Sequence, residues 1–123
     1  MKKNIVIVDD FENTRWVIEF SLRGIDCELF KASNGKEALV FFDGKTIDLL
    51  ITDLNMPVMN GIELVKAVKD MPEYRKMPII MLTTEQRPER KEEATKLNIT
   101  TWMQKPFKAE DFMKIIKKCL QIS

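Results

Sequence analysis

Five short runs of aliphatic and β-branched residues, each followed by a stretch of helical periodicity, limit what this chain can fold into more than any other feature. The strand candidates are NIVIVD (4–9), CELFKA (27–32), IDLLITD (47–53), MPIIMLT (77–83) and TTWMQ (100–104), built from residue types that suit a pleated, buried surface. Helices are expected over 13–23, 35–43, 61–70, 88–97 and 109–121. In the last of these, Phe112, Ile116 and Cys119 or Leu120 recur along one face with lysines opposite. Five β-then-α units predict an α/β fold, with a parallel sheet, right-handed crossovers and helices on both faces. The first, third and fourth runs are almost wholly apolar and read as central strands. The second carries Glu28 and Lys31 and reads as an edge. Asn34-Gly35, Asn60-Gly61 and Pro88 stand where the second, third and fourth helices should open.

With 123 residues the chain is expected to form one domain, spanning 1–123. Twenty basic and nineteen acidic residues leave a net charge of +1, so no global field favours nucleic acid or an anionic membrane. Histidine is absent, which removes Ser-His-Asp and Cys-His nucleophiles, His-ligated zinc and an imidazole phosphoryl carrier. Cys27 and Cys119 are far apart and lack metal-type spacing, so they read as buried thiols in a reducing compartment. The start MKKNIVIVDD has an apolar run of four residues ended by two acids, too short for a signal peptide or a membrane span. A cytoplasmic protein that does not insert into membranes is expected.

In an open α/β sheet, sites form beyond the carboxyl ends of the strands. There this sequence places Asp9-Asp10, Asp53, Thr83 and Lys105-Pro106. Three carboxylates gathered at one sheet end repel one another unless a cation joins them. Oxygen-only donors suit Mg2+ or Mn2+ rather than zinc. A carboxylate beside such an ion can act as nucleophile toward a phosphoryl group, whose oxygens an ammonium and a hydroxyl then meet. Lys105 and Thr83 offer those two groups.

Four stretches, VIVDDFENTR (6–15), LLITDLNMPVMNGIEL (49–64), PIIMLTTE (78–85) and KPF (105–107), resemble the receiver domains of two-component response regulators, most closely the stand-alone chemotaxis type. The resemblance runs along essentially the whole chain. It implies a flavodoxin-like (βα)5 three-layer sandwich with a parallel five-stranded sheet of order 2-1-3-4-5. It implies that Asp53 accepts a phosphoryl group from the phosphohistidine of a histidine kinase or histidine phosphotransfer protein. Asp10, Asp53 and the backbone carbonyl of Asn55 match the Mg2+ ligands, and Asp9 matches the acid that reaches the ion through water. Thr83 matches the switch hydroxyl and Lys105 the lysine that pairs with the phosphoryl group. The Lys105-Pro106 bond is expected to be cis, which only an X-Pro bond adopts cheaply.

The departures matter as well. Trp102 stands where the family often has Tyr or Phe that swings inward with the threonine. Asn98 replaces a usual Gly after the fourth helix and suits a left-handed C-cap. Thr84 stands where small residues are preferred, which implies slower access to the pocket. By the same resemblance, Asn55 and Glu85 flank the acceptor and switch positions, where family members vary and tune phosphoryl lifetime.

A phosphoryl group must be read out by a two-state element, and the resemblance assigns that role to the α4-β5-α5 face, where a downstream target protein would bind. Lys108, Lys114, Lys117 and Lys118 outnumber Glu110 and Asp111 on the last helix, which suggests an acidic partner peptide there. The sequence ends at Ser123, directly after that helix, so a stand-alone monomer acting by protein binding is expected. It would be a signalling switch rather than an enzyme, with self-phosphorylation from small donors and self-dephosphorylation. The alternative within the same class is a phosphorelay intermediate that passes its phosphoryl group to a histidine phosphotransfer protein. A Mg2+-dependent phosphohydrolase of haloacid dehalogenase type uses similar residues, but its nucleophile follows the first strand in a DxD pattern that Asp9-Asp10 lacks. A degenerate receiver acting as a constitutive adaptor fits poorly, because every acidic and basic position is present.

Overall fold

Alternation along the central strands divides the interior into two halves. In β1 (Lys3–Val8), Ile5 and Ile7 join one apolar cluster while Val6 and Val8 join another, as a period of two demands. β3 (Leu49–Thr52) and β4 (Ile79–Thr83) repeat this split and are buried at every position. The computed structural model describes residues 2–123. Its sheet has the order β2-β1-β3-β4-β5, all neighbours parallel, with β2 (Cys27–Ala32) and β5 (Thr101–Gln104) at the edges. This is the doubly wound, flavodoxin-like α/β arrangement that the sequence predicts.

Helix α1 (Glu12–Ser21) and α5 (Ala109–Leu120) cover one sheet face, supplying Ile18, Phe112, Ile116 and Leu120. The other face is covered by α2 (Gly35–Leu39), α3 (Gly61–Lys69) and α4 (Pro88–Lys96), through Ala38, Val65 and Ala94 among others. Asn34 and Asn60 cap α2 and α3 with their side chains, and Glu63 completes a capping box on α3. Asn98 takes φ 60° just past α4, the left-handed position Asn tolerates.

Several boundaries differ from the sequence expectation. The second helix is expected to reach residue 43 but ends at Leu39. Beyond it the amides of Phe41 and Phe42 bond back three residues, to Ala38 and Leu39, and this tighter winding delivers Phe42 to the core edge-on to Tyr74, with ring centroids 5.0 Å apart. The Tyr74 hydroxyl donates to the Lys45 carbonyl and accepts from the Gly44 amide. β3 starts at Leu49 rather than residue 47 because the Asp48 carboxylate accepts the Asn4 amide, so a side chain has taken the place of a backbone partner.

No helix among the described residues is long and apolar enough to cross a membrane.

Candidate functional site

The ladder continues one residue past each strand end, and this fixes the backbone of the candidate site. The Asp9 amide donates to Ala32, the Asp53 amide to Val8 and the Lys105 amide to Thr83, at 3.1, 2.9 and 2.9 Å. With β1 between β2 and β3, the side chains that follow β1 and β3 stand next to each other. Asp9, Asp10 and Asp53 each bring a carboxylate oxygen within 4.8 Å of the others. Lys105 reaches in from the end of β5, with Nζ 2.8 Å from Asp9 Oδ2 and 3.0 Å from Asp53 Oδ2.

Asp9 and Asp53 are buried. Burial raises the Asp9 carboxyl above its ordinary range, against the pull of Lys105 and of the Phe11 amide bonded to its Oδ1. For Lys105, burial alone would lower the ammonium, but its bonds to Asp9 and Asp53 outweigh that and leave it raised. One ammonium against three carboxyl groups leaves the cluster short of positive charge. Asp10 Oδ1 is buried and has no hydrogen-bond partner, and an orphaned acceptor of this kind needs an explanation. An oxygen-only donor set, an unpaired lone pair and a charge deficit together fit a hard divalent ion such as Mg2+.

Beside the cluster lies a cavity of about 490 Å³, lined by Asp53, Asn55, Thr84 and Lys105 and walled by Phe11 and Val17. The Asn55 side chain donates to Glu85 Oε1 at 3.1 Å. Thr83 is fully buried at the end of β4, and its hydroxyl accepts the Glu85 amide at 3.2 Å. Thr84 is exposed at the cavity mouth. Trp102 is half-buried and packs against the cluster that contains Met81, its register partner on β4. Alternation puts Thr83 on the same face as Met81, so Thr83 and Trp102 share one side of the sheet. The Lys105-Pro106 peptide is cis.

Some of the site carries no sequence signal. Arg87 grips Glu85 with Nε 2.9 Å from Oε2 and Nη2 2.7 Å from Oε1, while the amides of Gln86 and Arg87 also bond Oε2. These bonds hold the Glu85 carboxyl far below the usual range, with the Arg87 guanidinium as the main cause. Gln104 Nε2 donates to the carbonyls of Thr84 and Glu85. Behind Asp53, a Cβ on Gly61 would collide with the Asp53 carbonyl oxygen and come to 2.9 Å from Leu54 Cα. At the loop tip Val58 has φ 69°, and the Met59 amide bonds the Pro57 carbonyl at 2.7 Å, which closes a γ-turn. The lysines of α5 do not gather on one face. Lys114 and Lys117 line a groove against α1, while Lys118 lines a cavity with Lys76 and Thr101. The basic face expected toward β5 is therefore split, because the lysines are spread around more than one helical stripe.

Residues 5–117 match the model of the response regulator receiver domain. The chemotaxis protein CheY of Pseudomonas aeruginosa is 33% identical over 118 residues, covering 95% of each chain. Among solved structures, the chemotaxis response regulator CheY4 of Vibrio cholerae is 38% identical, covers 98% of this chain and 100% of its own, and superposes with a TM-score of 0.88. A sensor histidine kinase receiver domain from Pseudomonas aeruginosa, described with magnesium coordinated in its active-site cleft, shares the fold at 22% identity and a TM-score of 0.88, covering 98% of this chain and 99% of its own. On the family match and the level of identity, the chain belongs to the response regulator receiver domain family.

Proposed function

We propose that this protein is a phosphorylation-switched signalling protein in which Asp53 accepts a phosphoryl group from a histidine kinase or histidine phosphotransfer protein. The observation that carries this reading is the position of the Asp53 carboxylate, bonded by Lys105 and within 4.8 Å of Asp9 and Asp10 at the mouth of an open cavity. In the transfer, an Asp53 oxygen attacks the phosphorus of the donor's phosphoimidazole. The P–N bond breaks, its electron pair returns to the ring nitrogen, and an acyl phosphate forms. Asp10, Asp53 and the Asn55 carbonyl would hold a divalent ion with Asp9 beside them, and that ion supplies positive charge facing the transferred oxygens. Lys105 is placed to meet the same oxygens with its ammonium. Hydrolysis reverses the modification when water attacks phosphorus and the Asp53–phosphorus linkage breaks.

The added charge of about −1.5 to −2 draws the Thr83 hydroxyl off the Glu85 amide. Because Thr83 and Trp102 share a sheet face, the space Thr83 leaves is open to Trp102. That movement re-forms the α4-β5-α5 face for a target protein. Similarity to the chemotaxis proteins supports a motility role.

Incubation with acetyl phosphate and Mg2+ is expected to add the mass of one phosphoryl group, and Asp53→Asn to abolish the gain. Modification that persists in Asp53→Asn would defeat the assignment. Transfer from the phosphorylated protein back to a histidine phosphotransfer domain would make it a relay intermediate instead.

A further inference from the structure

Gln104 closes β5 and stands beside Thr83, its register partner on β4. It is exposed and takes no part in the acidic cluster. Its Nε2 donates to the carbonyls of Thr84 and Glu85, at 3.3 Å from each. With two acceptor oxygens facing it, only the amide nitrogen of the side chain can be turned that way. Neither carbonyl receives a backbone amide among the described residues.

The Thr84 carbonyl and the Glu85 amide belong to one peptide unit. In a trans peptide these two groups point to opposite sides of a rigid plane. The Glu85 amide donates to the Thr83 hydroxyl oxygen at 3.2 Å, so Thr83 holds the plane by one edge and Gln104 by the other. Turning this peptide breaks both bonds together. Alternation along β5 puts Gln104 and Trp102 on one sheet face, the face of Thr83. Arg87 grips the same loop elsewhere, at the Glu85 carboxylate, and bonds neither edge of the 84–85 peptide.

We propose that Gln104 is a positioning residue of the switch, which locks the 84–85 peptide in the unphosphorylated state and so sets how readily Thr83 turns toward Asp53. The hydroxyl leaves only by giving up the Glu85 amide, and that amide stays over it as long as Gln104 keeps the far edge of the plane. Once Gln104 lets go, the peptide is free to rotate, the hydroxyl loses its fixed partner, and the space beside it opens to Trp102. A resting population already released in this way raises the rate of phosphoryl capture in proportion. The role rests on Asp53 as the acceptor and Thr83 as the switch, but the lock itself is made of bonds present before any phosphoryl group arrives.

The test compares Gln104→Leu, which keeps the bulk and removes the donor, with Gln104→Lys, which keeps a donor. All proteins carry Trp16→Phe, so that emission reports Trp102 alone. Before any phosphodonor is added, the Glu85 amide of Gln104→Leu is expected to exchange with deuterium about fivefold faster, the factor that one net hydrogen bond carries. Trp102 is expected to become less accessible to acrylamide. Labelling by acetyl phosphate with Mg2+ should quicken by a similar factor, and Gln104→Lys should restore all three. Arg87→Ala should leave Trp102 quenching at its starting level. An amide spectrum otherwise unchanged shows that the variants remain folded. Unchanged exchange at Glu85, faster exchange with quenching and labelling unchanged, no rescue by Gln104→Lys, or an equal Trp102 response in Arg87→Ala each overturns the proposal. A parent protein that takes no phosphoryl group would defeat the phosphorylation reading instead, and exchange and quenching would still decide for or against the lock.

Discussion

Val58 and Gly61 bracket the turn that follows Asp53, and each exposes a different constraint on it. A β-branched side chain at φ 69° is held in a region that L-residues avoid. Gly, with no Cβ, takes positive φ without that clash, so Val58→Gly is expected to relieve about 1 kcal/mol of strain. The urea midpoint measures this, and a midpoint that stays level or falls would show the turn to be unstrained. Gly61 has the opposite character, because backbone occupies the space where its side chain would lie. Gly61→Ala is expected to cost about 2 kcal/mol or more, and to slow labelling by acetyl phosphate because the atoms that must yield belong to Asp53 and Leu54. Loss of stability at an unchanged labelling rate would separate the two effects. Neither constraint can be read from residue identity alone. The sequence marks a turn at Asn60-Gly61, but not that the chain passes directly behind Asp53.

Between β4 and α4, the segment 84–87 is fastened on the β3 side through one side chain. Glu85 receives Arg87, Asn55 and two backbone amides, and so ties the loop after β4 to the loop after β3. Its carboxyl lies below the ordinary value, so the stability from this pairing is complete above about pH 4.5 and is lost as pH falls through the lowered value. Arg87→Ala removes most of it at neutral pH. The thermal midpoints of the two proteins should therefore differ at pH 7 and converge on acidification; a gap that persists at low pH would assign the effect to packing. β3 and β4 were legible in the sequence because they are apolar except for a terminal Thr, and β1 because of its unbroken Ile5–Val8 run. The convergence of Asp9, Asp10, Asp53 and Lys105 followed once those strands were set side by side. The Arg87 grip was not legible, since two residues in a loop share no periodicity that would pair them. Nor was the apolar stripe that α1 turns to solvent. Trp16, Val17 and Phe20 satisfy a helical pattern as well as Ile18 and Leu22 do, and only the placement of the helix decides which side turns inward.

At the scale of the whole molecule, the acidic cluster makes stability a function of both pH and cations. Burial raises Asp9, so its ionisation costs the native state stability as pH rises from the ordinary carboxylate value through the raised one. A divalent ion bound by the native cluster offsets that cost. Mg2+ at a hundredfold excess over its Kd is expected to add about 2.7 kcal/mol, seen as a higher unfolding midpoint at pH 7. Asp10→Asn should remove most of the gain; a gain of the same size in that variant would place the ion elsewhere. The sheet itself divides the molecule, with Thr83 and Trp102 on the face of α2, α3 and α4, and the aromatic stripe on the face of α1. Under selection the two faces pose nearly separate problems. Residues on the outer side of α1 can be exchanged without repacking the hydroxyl and the indole across the sheet, so one flank of the domain is free to diverge while the other keeps its geometry.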